Sequence, residues 1–194
     1  GYYKNEEATA KTIKDNWLYT GDLGYFDEDD FLVVVGREKA LLISEDGEKY
    51  SPEEIEEAIV NSSSFVQQCM IYNDHKKFTT ALVTLNKAVV SDWIKKNKVS
   101  DSQIILDKVK SEVLAFKNQK EFKNKFPDKW IPSNFQIIEE EFSEANKMIN
   151  STLKMVRFVI TETYKDKLDQ LYLPNSQGIV NEENKKTLES IFKT

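Results

Sequence analysis

Two residue pairs in the stretch "WLYTGDLGYFDEDDFLVVVGREK", residues 17 to 39, have the makings of a binding site: Gly21-Asp22 and Gly36-Arg37. A carboxylate is acceptor-only and can receive two O–H donors at once, which suits a vicinal diol. A guanidinium offers planar, paired donors to ribose or phosphate oxygens and stays charged at any working pH. Gly21 lets the backbone turn sharply beside such a ligand. The plainer reading is a β-hairpin with solvated ends, Gly-Asp forming an Asx-type turn and Arg37 a surface ion pair with Glu38. On these residues alone the plain reading is favoured, and half of a nucleotide clasp stays open beside it. Elsewhere the chemistry is sparse. His75 sits in a polar turn, expected exposed, and Cys69 on an apolar strand, expected in the core. The stretch "FKNQKEFKNKFPDKW" interleaves lysines with Phe116, Phe122, Phe126 and Trp130. It is a candidate contact for an anionic membrane surface or for phosphates, though an amphipathic helix with a wet basic face explains it as well.

Composition narrows the classes. The 194 residues carry a formal charge of −6 and a pI near 5.1, which argues against general nucleic-acid binding. One histidine and one cysteine make a zinc site improbable, and no metal site is expected. A lone cysteine suits a reducing, cytosolic setting. The apolar runs are too short to span a bilayer, and no signal-peptide pattern opens the chain. Gly1 stands inside patterned sequence, so a piece of a longer protein is expected.

The elements that must position these residues follow from pattern. A polar, helix-favouring segment precedes the hairpin. Phe31 to Val35 are five apolar residues in succession, which implies a strand covered on both faces, and a hairpin alone cannot supply that cover. After Arg37 come a short strand, a glycine loop and a helix announced by Ser51, Pro52 and Glu54, with Ile55 and Ile59 on one face. "FVQQCMIY" and "FTTALVTL" read as strands joined by "NDHKK". Helices are expected over 88–97 and 101–122, the second with Ser100 and Gln103 at capping-box spacing. "NFQIIEE" is a further strand, and a last helix over 153–171 would bury Val156, Ile160, Tyr164 and Leu168. A "PNSQG" break leads to a weakly amphipathic tail. The sum is an α+β class: a small mixed domain with a short antiparallel sheet flanked by helices, preceded by a β-hairpin segment.

Taken in order, "GYYKNEEAT", "WLYTGDLGYFDEDDFLVVVGREK", "DGEKYSPEEIE" and "STLKMVR" resemble the C-terminal part of the acyl-adenylate-forming enzymes, most closely the AMP-forming long-chain fatty acyl-CoA synthetases. The resemblance implies that residues 1–38 close a large N-terminal adenylation domain, 39–172 form a mobile C-terminal lid and 173–194 a tail. It places Asp22 on the ribose hydroxyls and Arg37 on the nucleotide. Lys39 falls at the hinge, a position that must absorb a backbone rotation; the following Ala40 departs from the family's frequent aspartate. Gly47 falls on the loop lining the pantetheine tunnel of coenzyme A, where a plain turn would also explain it. Lys154 matches the late catalytic lysine that bridges carboxylate and phosphate oxygens during adenylation, with Lys147 as neighbouring competitor. An ammonium suits charge that migrates during in-line transfer. "STLK" lacks the Pro-x-Gly-Lys form of many relatives and, with the helices between 88 and 123, favours the long-chain branch.

The implied function is a fragment of a ligase that activates a fatty acid with ATP and transfers it to coenzyme A. ATP with Mg2+ and coenzyme A would be substrates of the full-length enzyme, none retained by the fragment, which alone would be inactive. Implied partners are the N-terminal domain, fatty acid, ATP and coenzyme A, with no nucleic acid, in a cytoplasmic setting and with peripheral membrane contact open. The alternatives are an adenylation module for another acid or a carrier protein, and a non-catalytic carrier- or membrane-binding module.

Overall fold

The computed structural model describes residues 1–192, without the side chains of Val35 and Lys39. It divides into two units, Gly1–Leu41 and Leu42 onward. Among the described residues no helix is long and apolar enough to cross a membrane.

In the first unit α1 (Glu6–Thr12) is capped by Asn5, whose Oδ1 accepts from Ala8 N–H at 2.9 Å. Two short paired strands follow, β1 (Ile13–Lys14) and β2 (Trp17–Leu18). The hairpin is β3 (Asp22–Phe26) against β4 (Leu32–Arg37), antiparallel, with a register shift between Leu23 and Gly24. Its turn is closed by Asp27, whose Oδ1 accepts from Asp29 N–H at 3.0 Å and Phe31 N–H at 2.9 Å. A side chain at position 24 would meet Val33 O at 2.7 Å, so the shift needs a glycine there. Tyr25, Phe26, Phe31, Leu32 and Val34 are exposed. The cover that the apolar run 31–35 calls for is thus not supplied to these residues.

The second unit begins with β5 (Leu42–Ser44), β6 (Lys49–Tyr50) and α2 (Glu53–Asn61). Its centre is a three-stranded mixed sheet in which β9 (Thr80–Leu85) lies between β7 (Val66–Tyr72), antiparallel, and the later strand β10, parallel. The turn between β7 and β9 holds β8 (Asp74–Lys76), which joins β5 in a separate small sheet. The path from β9 to its parallel neighbour runs through α3 (Lys87–Asn97) and α4 (Ser102–Val113) before β10 (Asn134–Ile138). Then come α5 (Arg157–Thr163), α6 (Lys165–Gln170) and α7 (Ser176–Phe192).

Every residue of β9 is buried, as a strand covered on both faces requires. Alternation sorts the side chains into two cores. Cys69, Ile71, Ala81, Val83, Phe135 and Ile137 join Ile55, Ile59, Ile105, Leu106 and Val109 on one side. Met70, Leu82 and Ile138 join Phe142, Met148, Ile160, Leu168 and Val180 on the other. Burial pushes the Cys69 thiol pKa up, as for an inert core residue.

The α+β expectation holds, with three corrections to its helices. The helix expected over 101–122 stops at Val113 and is followed by a 3-10 turn over Ala115–Asn118. Phe116 and Phe122 would lie about 120° apart on a continuous helix, yet both pack against Phe126, so the chain must unwind. Its cap is Asp101 rather than Ser100, with Oδ1 accepting from Gln103 N–H at 2.8 Å. The helix expected over 153–171 starts only at Arg157 and breaks at Tyr164. The segment read as a weakly amphipathic tail is, over Ser176–Phe192, a seventeen-residue helix that buries Val180, Asn184 and Leu188.

Both open edges of the central sheet are closed by side chains. At β10, Asn184 of α7 accepts from Ile137 N–H at 2.7 Å and donates to Phe135 C=O at 3.0 Å. At β7, Ile71 N–H donates to Glu56 Oε1 at 2.7 Å, and Ile71 C=O accepts from Arg157 Nη1 at 3.3 Å. A buried strand edge must find such partners, because water cannot reach it.

Candidate functional site

Asp22 and Arg37, fifteen positions apart in sequence, are partners across the β3–β4 ladder. Arg37 Nε lies 2.9 Å from Asp22 Oδ1, with the two side chains 64% and 35% exposed. The ion pair expected with Glu38 is therefore made with Asp22 instead. Gly21, at φ +75°, turns the chain into β3, and its C=O accepts from Glu38 N–H at 2.9 Å, closing the mouth of the hairpin. The pair engages one atom of each group. Both side chains keep exposed surface beyond this contact, and a carboxylate beside a guanidinium is a donor and acceptor set that fits a hydroxylated, anionic ligand. Lys39 lies within a 3-10 turn over Glu38–Ala40, and its side chain falls outside the described residues.

In the second unit, Gly47 (φ +81°) caps the β5–β6 turn, its N–H donating to Ser44 C=O at 2.9 Å. The turn is exposed at Gly47 and pinned from outside. Lys129 Nζ reaches Asp46 Oδ2 at 2.7 Å and Glu48 Oε2 at 2.6 Å, and Trp130 Nε1 donates to Glu48 at 2.9 Å. Trp130 stacks on Tyr50 with ring centroids 5.0 Å apart. Lys129 holds both carboxyls below their usual range, helped by Ser44 at Asp46 and by Trp130 at Glu48. Lys129 in turn is raised by the two acids. This clasp accounts for part of the basic aromatic stretch. Lys125 pairs with Glu54 at 2.5 Å and Lys117 with Asp128 at 3.4 Å, so these lysines meet protein carboxylates. His75 is exposed beside Asp74.

Lys154 stands at the end of a tight turn. Asn150 Oδ1 accepts from the N–H groups of Thr152 and Lys154, both at 3.0 Å, and from Thr152 Oγ1 at 2.8 Å. Asn150 N–H donates to Lys154 C=O at 2.9 Å, and an Ile149–Met155 bridge closes the base. Leu153 takes a left-handed conformation, φ +60°, and is 80% exposed; Phe158 is exposed as well. The ammonium of Lys154 is therefore presented on the surface, not stowed in the core. Because α5 begins at Arg157, Lys154 does not occupy the first turn of a helix, where it was expected to stand. Lys147 is also exposed, eight residues nearer β10 in the chain than Met155.

Sequence reasoning missed three groups around these residues: Asn150, the Lys129–Trp130 clasp, and the buried pair Glu56–Arg157. Arg157 Nη2 bonds Glu56 Oε2, and Glu56 is 4% exposed. Asn150 carried a signal, since asparagine two residues before a threonine is a common Asx-turn start. The other two join residues 80 or more apart in sequence and leave no local trace.

The family model described as "AMP-binding enzyme C-terminal domain" matches residues 39–176, most of the chain. A long-chain-fatty-acid–CoA ligase of Mycobacterium tuberculosis is 26% identical over 89% of this chain and 29% of its own length. Another, from Gallus gallus, is 30% identical over 94% of this chain and 27% of its own. The chain thus spans less than a third of these relatives. Among solved structures, the A-PCP didomain of carboxylic acid reductase from Segniliparus rugosus, in complex with AMP, superposes with a TM-score of 0.72. It is 22% identical, covering 89% of this chain and 23% of that one, which speaks to the fold. With the matched region beginning at Lys39 and running through the Gly47 and Lys154 turns, the chain belongs to the family of AMP-binding enzyme C-terminal domains.

Proposed function

We propose that this chain is the C-terminal part of an AMP-forming ligase that activates a fatty acid with ATP and passes it to coenzyme A, in the cytosol. The observation that carries the reading is the Lys154 turn: an ammonium on the surface, at the end of a loop whose backbone is locked by Asn150. In the first half-reaction a carboxylate oxygen attacks the α-phosphorus of ATP, and the bond to pyrophosphate breaks. Lys154 is the catalytic residue, its positive charge bridging the oxygens on which negative charge accumulates. In the second, the coenzyme A thiol attacks the acyl carbon and AMP leaves. Asp22 holds the ribose hydroxyls, and Arg37 fixes Asp22 and contacts the nucleotide. Lys39 lies at the hinge, which agrees with a division of the chain between Leu41 and Leu42. The Gly47 turn admits the pantetheine arm, its side-chain-free backbone open to a thin ligand. ATP arrives as its Mg2+ complex. The names of the relatives support a long-chain acid as substrate. Any peripheral membrane contact rests on surface charge such as Lys120 and Lys123.

The test is Lys154→Ala in the full-length enzyme. Pyrophosphate release on acid and ATP should fall by about two orders of magnitude or more, the scale of one electrostatic contact at a transition state. Thioester formation from supplied acyl-AMP should survive. Equal loss of both steps, or of neither, removes the assigned role.

A further inference from the structure

The β7 edge is closed in a costly way. At β10 the same task is done by a neutral amide, Asn184. At β7 it falls to a buried ion pair: Glu56 Oε1 takes the Ile71 N–H, Arg157 Nη1 gives to the Ile71 C=O, and the two side chains bond each other. Removing a carboxylate and a guanidinium from water costs several kcal/mol per ion, and for stability alone a neutral or apolar solution does as well. What the charged solution adds is direction. A guanidinium fork bonded to both a carboxylate and a carbonyl has its plane and position fixed. Arg157 is the first residue of α5 and stands two residues beyond Met155, where the Lys154 turn closes on Ile149. Val156 N–H donates to Met148 C=O at 2.8 Å, so the base of the turn and the strut share one short run of backbone.

We infer that Glu56 and Arg157 are positioning residues for adenylation: they fix the base of the Lys154 turn to the edge of the central sheet, and so the place to which the ammonium is delivered. This rests on the reading of Lys154 above. The groups facing the Glu56 carboxyl are Arg157 from α5, Glu53 on its own helix, and the Cys69 thiol and Ile71 amide of β7. Burial pushes the carboxyl up to about 7, against the pull of Arg157 and Ile71 N–H. The strut is therefore an ion pair above that pH and, below it, a neutral carboxyl beside a guanidinium that keeps its charge.

The experiment compares Glu56→Gln, Arg157→Lys and Lys154→Ala in the full-length enzyme. Adenylation is read as pyrophosphate release, with kcat separated from the KM for ATP, and thioester formation from supplied acyl-AMP is read in parallel. A displacement on the order of 1 Å costs up to about a hundredfold in rate. Both strut variants should lower the adenylation kcat about tenfold or more, and leave the KM for ATP and the thioester step within about twofold. The acidic limb of the wild-type adenylation profile near pH 7 should flatten in Glu56→Gln. Arg157→Lys, which keeps the charge and loses the fork, decides the matter if Glu56→Gln does not fold. Proportional loss in both half-reactions, or full adenylation in both strut variants while Lys154→Ala is inactive, overturns this inference and leaves Lys154 in its role. Undiminished adenylation in Lys154→Ala overturns the reading beneath it as well.

Discussion

Replacing Asn184 by alanine should be among the most damaging single changes to this fold, although Asn184 is one polar residue in a long helix. It is 1% exposed and serves three partners: Ile137 N–H at 2.7 Å, Gln136 Nε2 at 2.8 Å, and Phe135 C=O at 3.0 Å. Gln136 is itself fully buried, and its Oε1 already lacks a partner. Truncation would orphan two backbone groups and one amide N–H, each at about 1–3 kcal/mol. Three groups in the lower part of that range together cost about 3–5 kcal/mol. A typical domain holds about 5–15 kcal/mol in all. With a urea dependence of about 2 kcal/mol per M, the midpoint should fall by roughly 1.5–2.5 M. Equilibrium unfolding of the chain in urea, followed by far-UV circular dichroism, reads this directly. Asn184→Asp sharpens the test. A buried aspartate resists ionisation, so its folded pKa lies above its unfolded one. The native state then binds more protons than the unfolded state, and stability must fall as pH rises. Near pH 4 the protonated acid can both donate to Phe135 C=O and accept from Ile137 N–H, so Asn184→Asp should recover there relative to pH 7. A midpoint shift under about 0.5 M for Asn184→Ala, at unchanged slope, would refute the claim that this side chain closes the sheet edge.

Two further outcomes follow from the same kind of argument. Because burial raises the Glu56 carboxyl to about 7, the folded chain keeps a proton that the unfolded chain has lost. Stability should therefore decline from about pH 4.5 to about pH 7 and then level, and Glu56→Gln should remove that slope in urea titrations across the range. Gly47→Ala meets no atom within 4 Å, so its cost is purely that of a left-handed backbone, about 1–2 kcal/mol in the midpoint of unfolding. In the full-length enzyme the same variant should slow thioester formation and spare pyrophosphate release.

Much of the second unit could be read from pattern, and the exceptions have physical causes. The run "FTTALVTL" is apolar or small throughout, which a central strand buried on both faces demands. Pro52 marked the start of α2, but the capping box expected from Ser51 and Glu54 does not form: Pro52 stands at the N-cap with no side-chain cap bond, and Ser51 Oγ donates to the Glu53 carboxylate instead. The helix expected to run on to residue 122 failed because aromatic packing among Phe116, Phe122 and Phe126 overrides the periodicity. The helix expected from 153 starts late because Leu153 takes a left-handed backbone and Lys154 C=O is taken by Asn150 N–H, so the first helical turn cannot close there. Polar side chains closing strand edges were invisible, because a buried asparagine in α7 and an exposed one look alike in sequence. For the site, Asp22 and Arg37 stood out as charges after glycines, but their pairing was missed in favour of Glu38, because the bulge between Leu23 and Gly24 sets a register that the sequence pattern does not show. Lys154 stood out by resemblance alone, and nothing in its own neighbours distinguishes it from a solvated lysine.

The closing of both sheet margins by side chains has a consequence for how such a domain can vary. A fourth strand, from the same chain or another, would have to displace these side chains to pair at Ile71 of β7 or at Phe135 and Ile137 of β10. The width of the sheet is set, and change in length must go elsewhere. The long passage from β9 to β10, carrying α3, α4 and the turns through Trp130, leaves and re-enters at the middle and one rim of the sheet. Part of that passage is itself fixed, since Lys129 and Trp130 hold the turn at Gly47 and Ile105, Leu106 and Val109 of α4 fill one core. Residues can be gained or lost most cheaply in its exposed stretch around Lys120 and Lys123, whose side chains neither the core nor the clasp uses.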